Sequence, residues 1–217
     1  MTTPPLRLIK VGGSLLRSEP LPPAEKTAEL GDSSGKREAC EEFPTAFHRW
    51  LEQQTPAVNV LVAGGGEFAD VIRRADVSLH LGEETAHWLC VDALSVTAQL
   101  LGAVLSLPVV TRRQELPEEF PSACVFDPAS FLHDLEHRLF LTPLPHTWGV
   151  TSDSIAARIG DYLLAGELVL LKSSLPGSAA ASYVDNYFSV AAANLRIIRC
   201  VNFRSASFEE LPWARGS

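Results

Sequence analysis

Two short apolar runs, Leu6-Arg-Leu-Ile-Lys-Val11 and Val58-Asn-Val-Leu-Val-Ala63, each lead directly into glycine, as Gly12-Gly13-Ser14 and Gly64-Gly65-Gly66. Few structures satisfy that junction. A run this short and this apolar reads as a parallel strand covered on both faces. Glycines placed immediately after it let backbone N–H groups come close to a ligand, and a helix that follows adds its positive end. In open parallel sheets ligands lie beyond the carboxyl ends of the strands, where both clusters fall. Neither cluster is G-x-G-x-x-G, and the chain has no G-x-x-x-x-G-K-[ST] loop.

The rest of the chain continues the alternation of strand and helix. The spacing predicts helices from Glu38 to Gln54, with Phe43, Phe47, Trp50 and Leu51 on one face, and from Glu67 to Val77, with Phe68, Ile72, Ala75 and Leu79 in helical register. A longer helix spans Glu84 to Leu105. Leu89, Ala93, Val96, Leu100 and Val104 form one stripe, and Val91, Leu94, Ala98 and Leu101 widen it, so the helix is expected in the core and at a subunit contact. A second half starts at Pro108. It holds a strand at Cys124-Val-Phe126, a short helix from Ala129 to Leu135 and a helix from Thr151 to Leu164 that Thr151, Ser152 or Asp153 can cap. Strands at Leu168–Lys172 and Arg196–Val201, the last in the chain, flank a helix from Tyr187 to Ala193. This order implies an α/β fold with a mainly parallel sheet. At 217 residues it is one continuous domain of two lobes, divided as 1–107 and 108–217.

The net charge of −8 argues against a chain built to coat nucleic acid or an anionic membrane. Ser18 to Glu42 carries seven acids, three bases and Pro20, Pro22 and Pro23, and reads as an exposed loop, a lid or decoration. Met1-Thr-Thr-Pro-Pro lacks the basic and apolar parts of a signal peptide, and the apolar stretches read as too short or interrupted to span a bilayer. Cys40, Cys90, Cys124 and Cys200 contain no C-x-x-C pair, so the reading is reduced thiols in a cytoplasmic protein, with no protein-held metal.

Lys10 and Lys172 each stand near the end of an apolar strand, where an ammonium must be paired or face a ligand. Asp153 heads a helix expected over the same sheet edge. Two lysines and a carboxylate placed there could clamp a transferring phosphoryl group. Arg73, Arg74, His80 and His87 are basic or titratable groups available to an acceptor.

Lys10-x-Gly-Gly-Ser14, Gly64-Gly-Gly-x-x-Ala-Asp70, Thr151-Ser-Asp-Ser154 and Leu170-Leu-Lys172 stand in an order that resembles the amino-acid kinase superfamily. His87-Trp88, Val150-Thr-Ser-Asp-Ser-Ile-Ala156 and Val184-Asp-x-Tyr-Phe188 are most similar to its methanofuran-biosynthesis branch, kinases of [5-(aminomethyl)furan-3-yl]methyl phosphate. The resemblance implies a three-layer αβα sandwich and a homodimeric, ATP- and Mg²⁺-dependent kinase whose first half binds the acceptor and whose second half binds ATP. It implies that Lys10 and Lys172 stabilise the transferred group and Asp153 organises them. Gly12, Gly13 and Ser14, with Ser152 and Ser173, would hold the nucleotide phosphates. Gly64, Gly65 and Gly66, with Asp70 and Arg73, would face the acceptor. The chain departs from the superfamily after Lys172, where Ser173-Ser-Leu-Pro-Gly177 replaces an acidic-glycine turn. Other acceptors implied are isopentenyl phosphate, an amino acid carboxylate and a nucleoside monophosphate. A nucleotide-binding storage or regulatory protein without turnover is the alternative outside enzymes.

Overall fold

The computed structural model describes residues 5–16, 43–139, 142–177 and 183–213. The acidic segment from Ser18 to Glu42, with the lid expected there, lies outside the described residues, as does the expected helix start at Glu38.

The order is β1 (Leu6–Val11), α1 (Phe43–Glu52), β2 (Val58–Ala63), α2 (Gly66–Leu79), α3 (Glu83–Leu105), β3 (Val109–Val110), β4 (Ser122–Phe126), α4 (Ala129–Asp134), α5 (Ser152–Leu163), β5 (Glu167–Lys172), α6 (Phe188–Ala191), β6 (Ile197–Asn202) and β7 (Glu210–Pro212). The strands form one sheet in the order β3-β4-β2-β1-β5-β6-β7. All neighbours are parallel except β6 and β7. The last strand is therefore β7, not the run ending at Val201. Three residues with no buried side chain carry no strand signal of their own, and β7 exists through its pairing with β6.

Side chains alternate across the sheet. Leu8, Val60, Val62, Cys124, Leu168, Leu170 and Cys200 face one core, under α4, α5 and α6. Ile9, Val11, Leu61, Ala63, Val125, Val169, Leu171 and Val201 face the other, against Phe47 and Trp50 of α1. The result is a three-layer α/β sandwich. Helix α3 serves both cores, with Val91 and Leu94 on the first and Ala98, Leu101 and Leu105 on the second.

Helix α2 differs from the sequence expectation, and so does the length of the apolar run in α3. Helix α2 buries none of its residues, and Phe68 and Leu79 are exposed. Its half-buried side instead packs toward α3 and a cavity. The other stripe of α3 stays open: Leu89, Val96, Leu100 and Val104 are 41%, 50%, 40% and 40% exposed. Contrary to the expectation that the apolar stretches are too short or too interrupted, α3 is long and apolar enough to cross a membrane, even with Asp92, Ser95 and Gln99 along it. Here it lies within the sandwich.

Strand β1 sits mid-sheet, with β2 on one side and β5 on the other. The chain builds one side first, then crosses to start the other. Beside such a reversal of strand order, the loops at the carboxyl ends splay apart and leave a crevice.

Candidate active site

Register places the two lysines. Lys10 is level with Leu170 on β5, so Lys172 stands two residues further along the neighbouring strand, on the same face. Helix α5 crosses that face. Its N-terminus is set by Thr151, whose hydroxyl accepts the Asp153 N–H at 3.3 Å. Asp153 is thereby brought between the lysines. Its Oδ1 lies 2.7 Å from Lys10 Nζ and its Oδ2 2.6 Å from Lys172 Nζ. Lys10 and Asp153 are each only 5% exposed. Lys172 also donates to the Tyr183 carbonyl, and its ammonium stands 4.3 Å from the centroid of the Tyr183 ring.

Burial pushes the Asp153 carboxyl up, but Lys10 and then Lys172 outweigh it and hold the group below the ordinary carboxylate range. Burial lowers Lys172, opposed by Asp153 and reinforced by Lys10. With all three ionised the trio carries one positive charge in excess. A buried charge without a partner is costly, so the arrangement favours an incoming anion.

Beside the trio the two glycine turns touch. A Cβ on Gly13 would stand 2.4 Å from Gly66 N, so no larger residue fits without moving backbone. Gly66 itself has φ +52°, a left-handed conformation that favours glycine. The amides of Gly12 and Gly64 extend the sheet, donating to Leu171 O and Val11 O, each at 2.8 Å. These two residues thus shape the cradle by lacking side chains, while Gly13, Ser14, Gly65 and Gly66 line the space above it. Ser14 Oγ meets Ser173 Oγ at 3.4 Å, joining the first turn to the end of β5. Arg204, which the sequence pattern did not single out, donates to Ser14 O at 3.3 Å.

A cavity of about 240 Å³ opens from this cradle. Ser152 at the head of α5 lines it, as do Asp70 and Arg73 of α2, which pair at 3.0 Å. His87 and Cys90 of α3 reach it as well, whereas Arg74 and His80 are exposed residues outside its lining. Burial raises the Cys90 thiol pKa, so it is not an activated nucleophile. Burial, helped by His146, lowers the His87 imidazole. The loop before α5 adds Thr147, Trp148 and Val150, so the lining draws on both halves of the chain.

Asp185 has a part that its place in Val184-Asp-x-Tyr-Phe188 did not disclose. Its Oδ2 accepts Thr151 N–H at 3.0 Å, Thr151 Oγ1–H at 2.7 Å and Ser154 N–H at 3.2 Å, and its Oδ1 accepts Ser154 Oγ–H at 2.5 Å. It anchors the turn that presents Asp153.

Among the described residues no group of three or more His, Cys, Asp or Glu side chains is placed to hold a metal ion. Both Asp153 oxygens already face ammonium groups. The donor set therefore does not fit a protein-held magnesium ion.

No family model matches the chain. It is 25% identical over 113 residues to the [5-(aminomethyl)furan-3-yl]methyl phosphate kinase of Methanocaldococcus jannaschii, a match covering 51% of this chain and 50% of that one. The match thus spans about half the length of that curated relative. Among solved structures, the UMP kinase of Bacillus anthracis superposes with a TM-score of 0.56 at 12% identity, over 94% of this chain and 90% of that one. The UMP kinase from Ureaplasma parvum gives 0.53 at 12% identity, over 91% and 89%. All three are kinases by name. Together they support a relationship to the amino-acid kinase superfamily, whose three-layer fold this chain has.

Proposed function

We propose that this protein is an ATP-dependent kinase acting on a small anionic acceptor, with [5-(aminomethyl)furan-3-yl]methyl phosphate as the favoured acceptor and a diphosphate as product. The observation that carries the reading is the buried Lys10–Asp153–Lys172 trio, one positive charge in excess, beside a glycine cradle that opens into a cavity.

Phosphoryl transfer needs alignment and charge stabilisation more than covalent chemistry. A phosphate monoester has a second pKa of about 6, so at neutral pH the acceptor oxygen is already an anion and needs no base. The difficulty is bringing two anions together. Lys10 and Lys172 neutralise charge on the transferring group, Asp153 keeps the two ammonium groups at fixed positions, and Gly13 and Ser14 bring backbone close to the nucleotide phosphates. Gly12, Ser152 and Ser173 border that side. Gly64, Gly65 and Gly66 bound the acceptor side, with Asp70 and Arg73 over it. Any magnesium arrives on the phosphates of ATP.

Ionisable groups set into a largely apolar lining favour this acceptor over a prenyl one. An isopentenyl group needs an apolar tunnel behind Gly66, whereas Asp70, Arg73 and His87 stand in this cavity. Asp70, which also pairs with Arg73, is the carboxylate of this lining, and the reading sets the aminomethyl ammonium against it. The reading keeps residues 1–107 as mainly the acceptor half and 108–217 as the nucleotide half, in a cytoplasmic homodimer paired through α3.

ADP release tests the proposal, measured with the furan phosphate, isopentenyl phosphate, UMP and an amino acid. The expected result is turnover with the furan phosphate well above the others. ATP binding without turnover on any acceptor would instead identify a nucleotide-binding regulatory or storage protein.

A further inference from the structure

Trp148 is held more firmly than a loop residue needs to be. It lies in the connection before α5, half-buried, yet α2 grips it twice. Its indole N–H donates to Asp76 Oδ2 at 2.8 Å, and the Arg73 guanidinium stands 4.9 Å from its ring centroid. Arg73 also donates to Asp70 Oδ1 at 3.0 Å. The other Asp76 oxygen accepts Gly82 N–H at 3.0 Å, so one carboxylate both closes the α2–α3 turn and fixes the indole. With its N–H and one contact surface engaged, the rest of the indole lines the cavity as apolar ring. Val91, Leu94, Val150 and Ile155 continue that lining, and His87 adds a second ring. The cavity, about 240 Å³, is below the usual range of about 300–1,000 Å³ for small-molecule pockets. Such a space is small for a whole nucleoside, and a flat ring gains contact against an indole at less entropic cost than a flexible chain of similar size.

Resting on the kinase reading above, we infer that Trp148 determines acceptor specificity by admitting a compact planar ring, and that Asp76 is the positioning residue that holds it there. Asp76→Asn is the sharpest probe. An amide offers one oxygen to two N–H donors, Gly82 and the indole, so one of them must face an NH₂ group. Trp148→Phe breaks the same bond from the other side and leaves the Gly82 contact intact.

The test is steady-state kinetics of the full chain with ATP and either [5-(aminomethyl)furan-3-yl]methyl phosphate or isopentenyl phosphate. Asp76→Asn and Trp148→Phe are each expected to raise the KM for the furan phosphate at least fivefold, with the KM for ATP moving less than twofold. In acceptor KM the double variant should be no worse than the worse single, because both act there through the one indole–carboxylate bond. Trp148→Leu should narrow the kcat/KM preference for the furan phosphate over isopentenyl phosphate at least tenfold. An active wild type whose acceptor KM and preference survive all these changes overturns the inference and leaves the kinase reading standing. A wild type that neither binds nor phosphorylates either compound overturns both the inference and the furan phosphate as the favoured acceptor. Melting temperatures within a few degrees of wild type separate a lost wall from a lost fold. Should Asp76→Asn melt early through the Gly82 contact, Trp148→Phe alone decides.

Discussion

Removing Lys10 and removing Asp153 are not equivalent, although the two side chains touch. Lys10→Ala leaves Asp153 paired with Lys172, one charge against one. The fold should survive while turnover falls more than tenfold, since a donor of this kind is typically worth about 3 kcal/mol in the transition state. Steady-state rates beside a thermal melt check this, and an unchanged rate would remove Lys10 from the mechanism. Asp153→Asn leaves two buried ammonium groups facing each other, and breaking a buried pair this way costs about 3–5 kcal/mol. That variant should lose both turnover and melting temperature. His87 makes a separate prediction through pH. Burial and then His146 and His133 lower its pKa, against the Thr147 backbone and Glu84, which raise it. Below about pH 6.5 the unfolded chain binds a proton at this residue that the folded chain resists. Its contribution to stability is therefore complete above that pH and is lost as pH falls through the lower folded value. Melting temperature followed from pH 7 to pH 5 should drop more steeply for the wild type than for His87→Gln. Equal slopes would show that His87 is not the group responsible.

At the scale of elements the key joint is the N-terminus of α5, because Asp153 is only as well placed as the turn that carries it. Thr151 and Ser154 bond to Asp185 from the segment before α6, some thirty residues along the chain. Asp185→Ala removes these partners. Hydrogen bonds to a charged group are worth about 1.5–3 kcal/mol each, and water recovers part of the loss, so the expected cost is of order 3 kcal/mol. Turnover should fall with it, because Asp153 loses its fixed position. A variant that melts early yet keeps full kcat would separate Asp185 from the site. This joint also shows what a sequence can reveal. β1, β2 and β5 were legible because a continuous apolar run ending in glycine or lysine fits little besides a buried strand. The convergence of Lys10, Asp153 and Lys172 followed from that, since strand register and a capped helix fix all three. Asp185, Arg204 and Trp148 were not legible as residues around the candidate site. Each sits in a loop, and its partner is chosen by how distant segments pack, which leaves no periodic trace. The α2 face was misleading for the converse reason: Phe68 and Leu79 have helical spacing, but spacing does not say whether a partner exists.

For the whole molecule the question is what α3 does with its second apolar stripe. Leu89, Val96, Leu100 and Val104 recur every four or seven residues along one side and stay 40–50% exposed. The opposite side of the same helix already meets both cores, so the fold cannot rotate the stripe inward. Fully burying a Val or Leu side chain is worth about 1.5–3 kcal/mol, and these residues have only part of that gain left to make. A two-fold axis counts each of them twice, because a symmetric dimer sets the same patch against itself. Pairing α3 with its copy therefore gathers several small gains without changing either protomer. The cavity residues His87, Cys90, Val91 and Leu94 lie on this helix too, so pairing would also stiffen the acceptor side. Light scattering at micromolar concentration should then give twice the chain mass of 23.5 kDa. Val96→Glu combined with Leu100→Glu should return the mass to a single chain while far-UV circular dichroism stays unchanged, because both positions face outward. A wild type that scatters as a monomer would leave the stripe without a second copy. It would also make stiffening of α3 a matter for the sandwich alone.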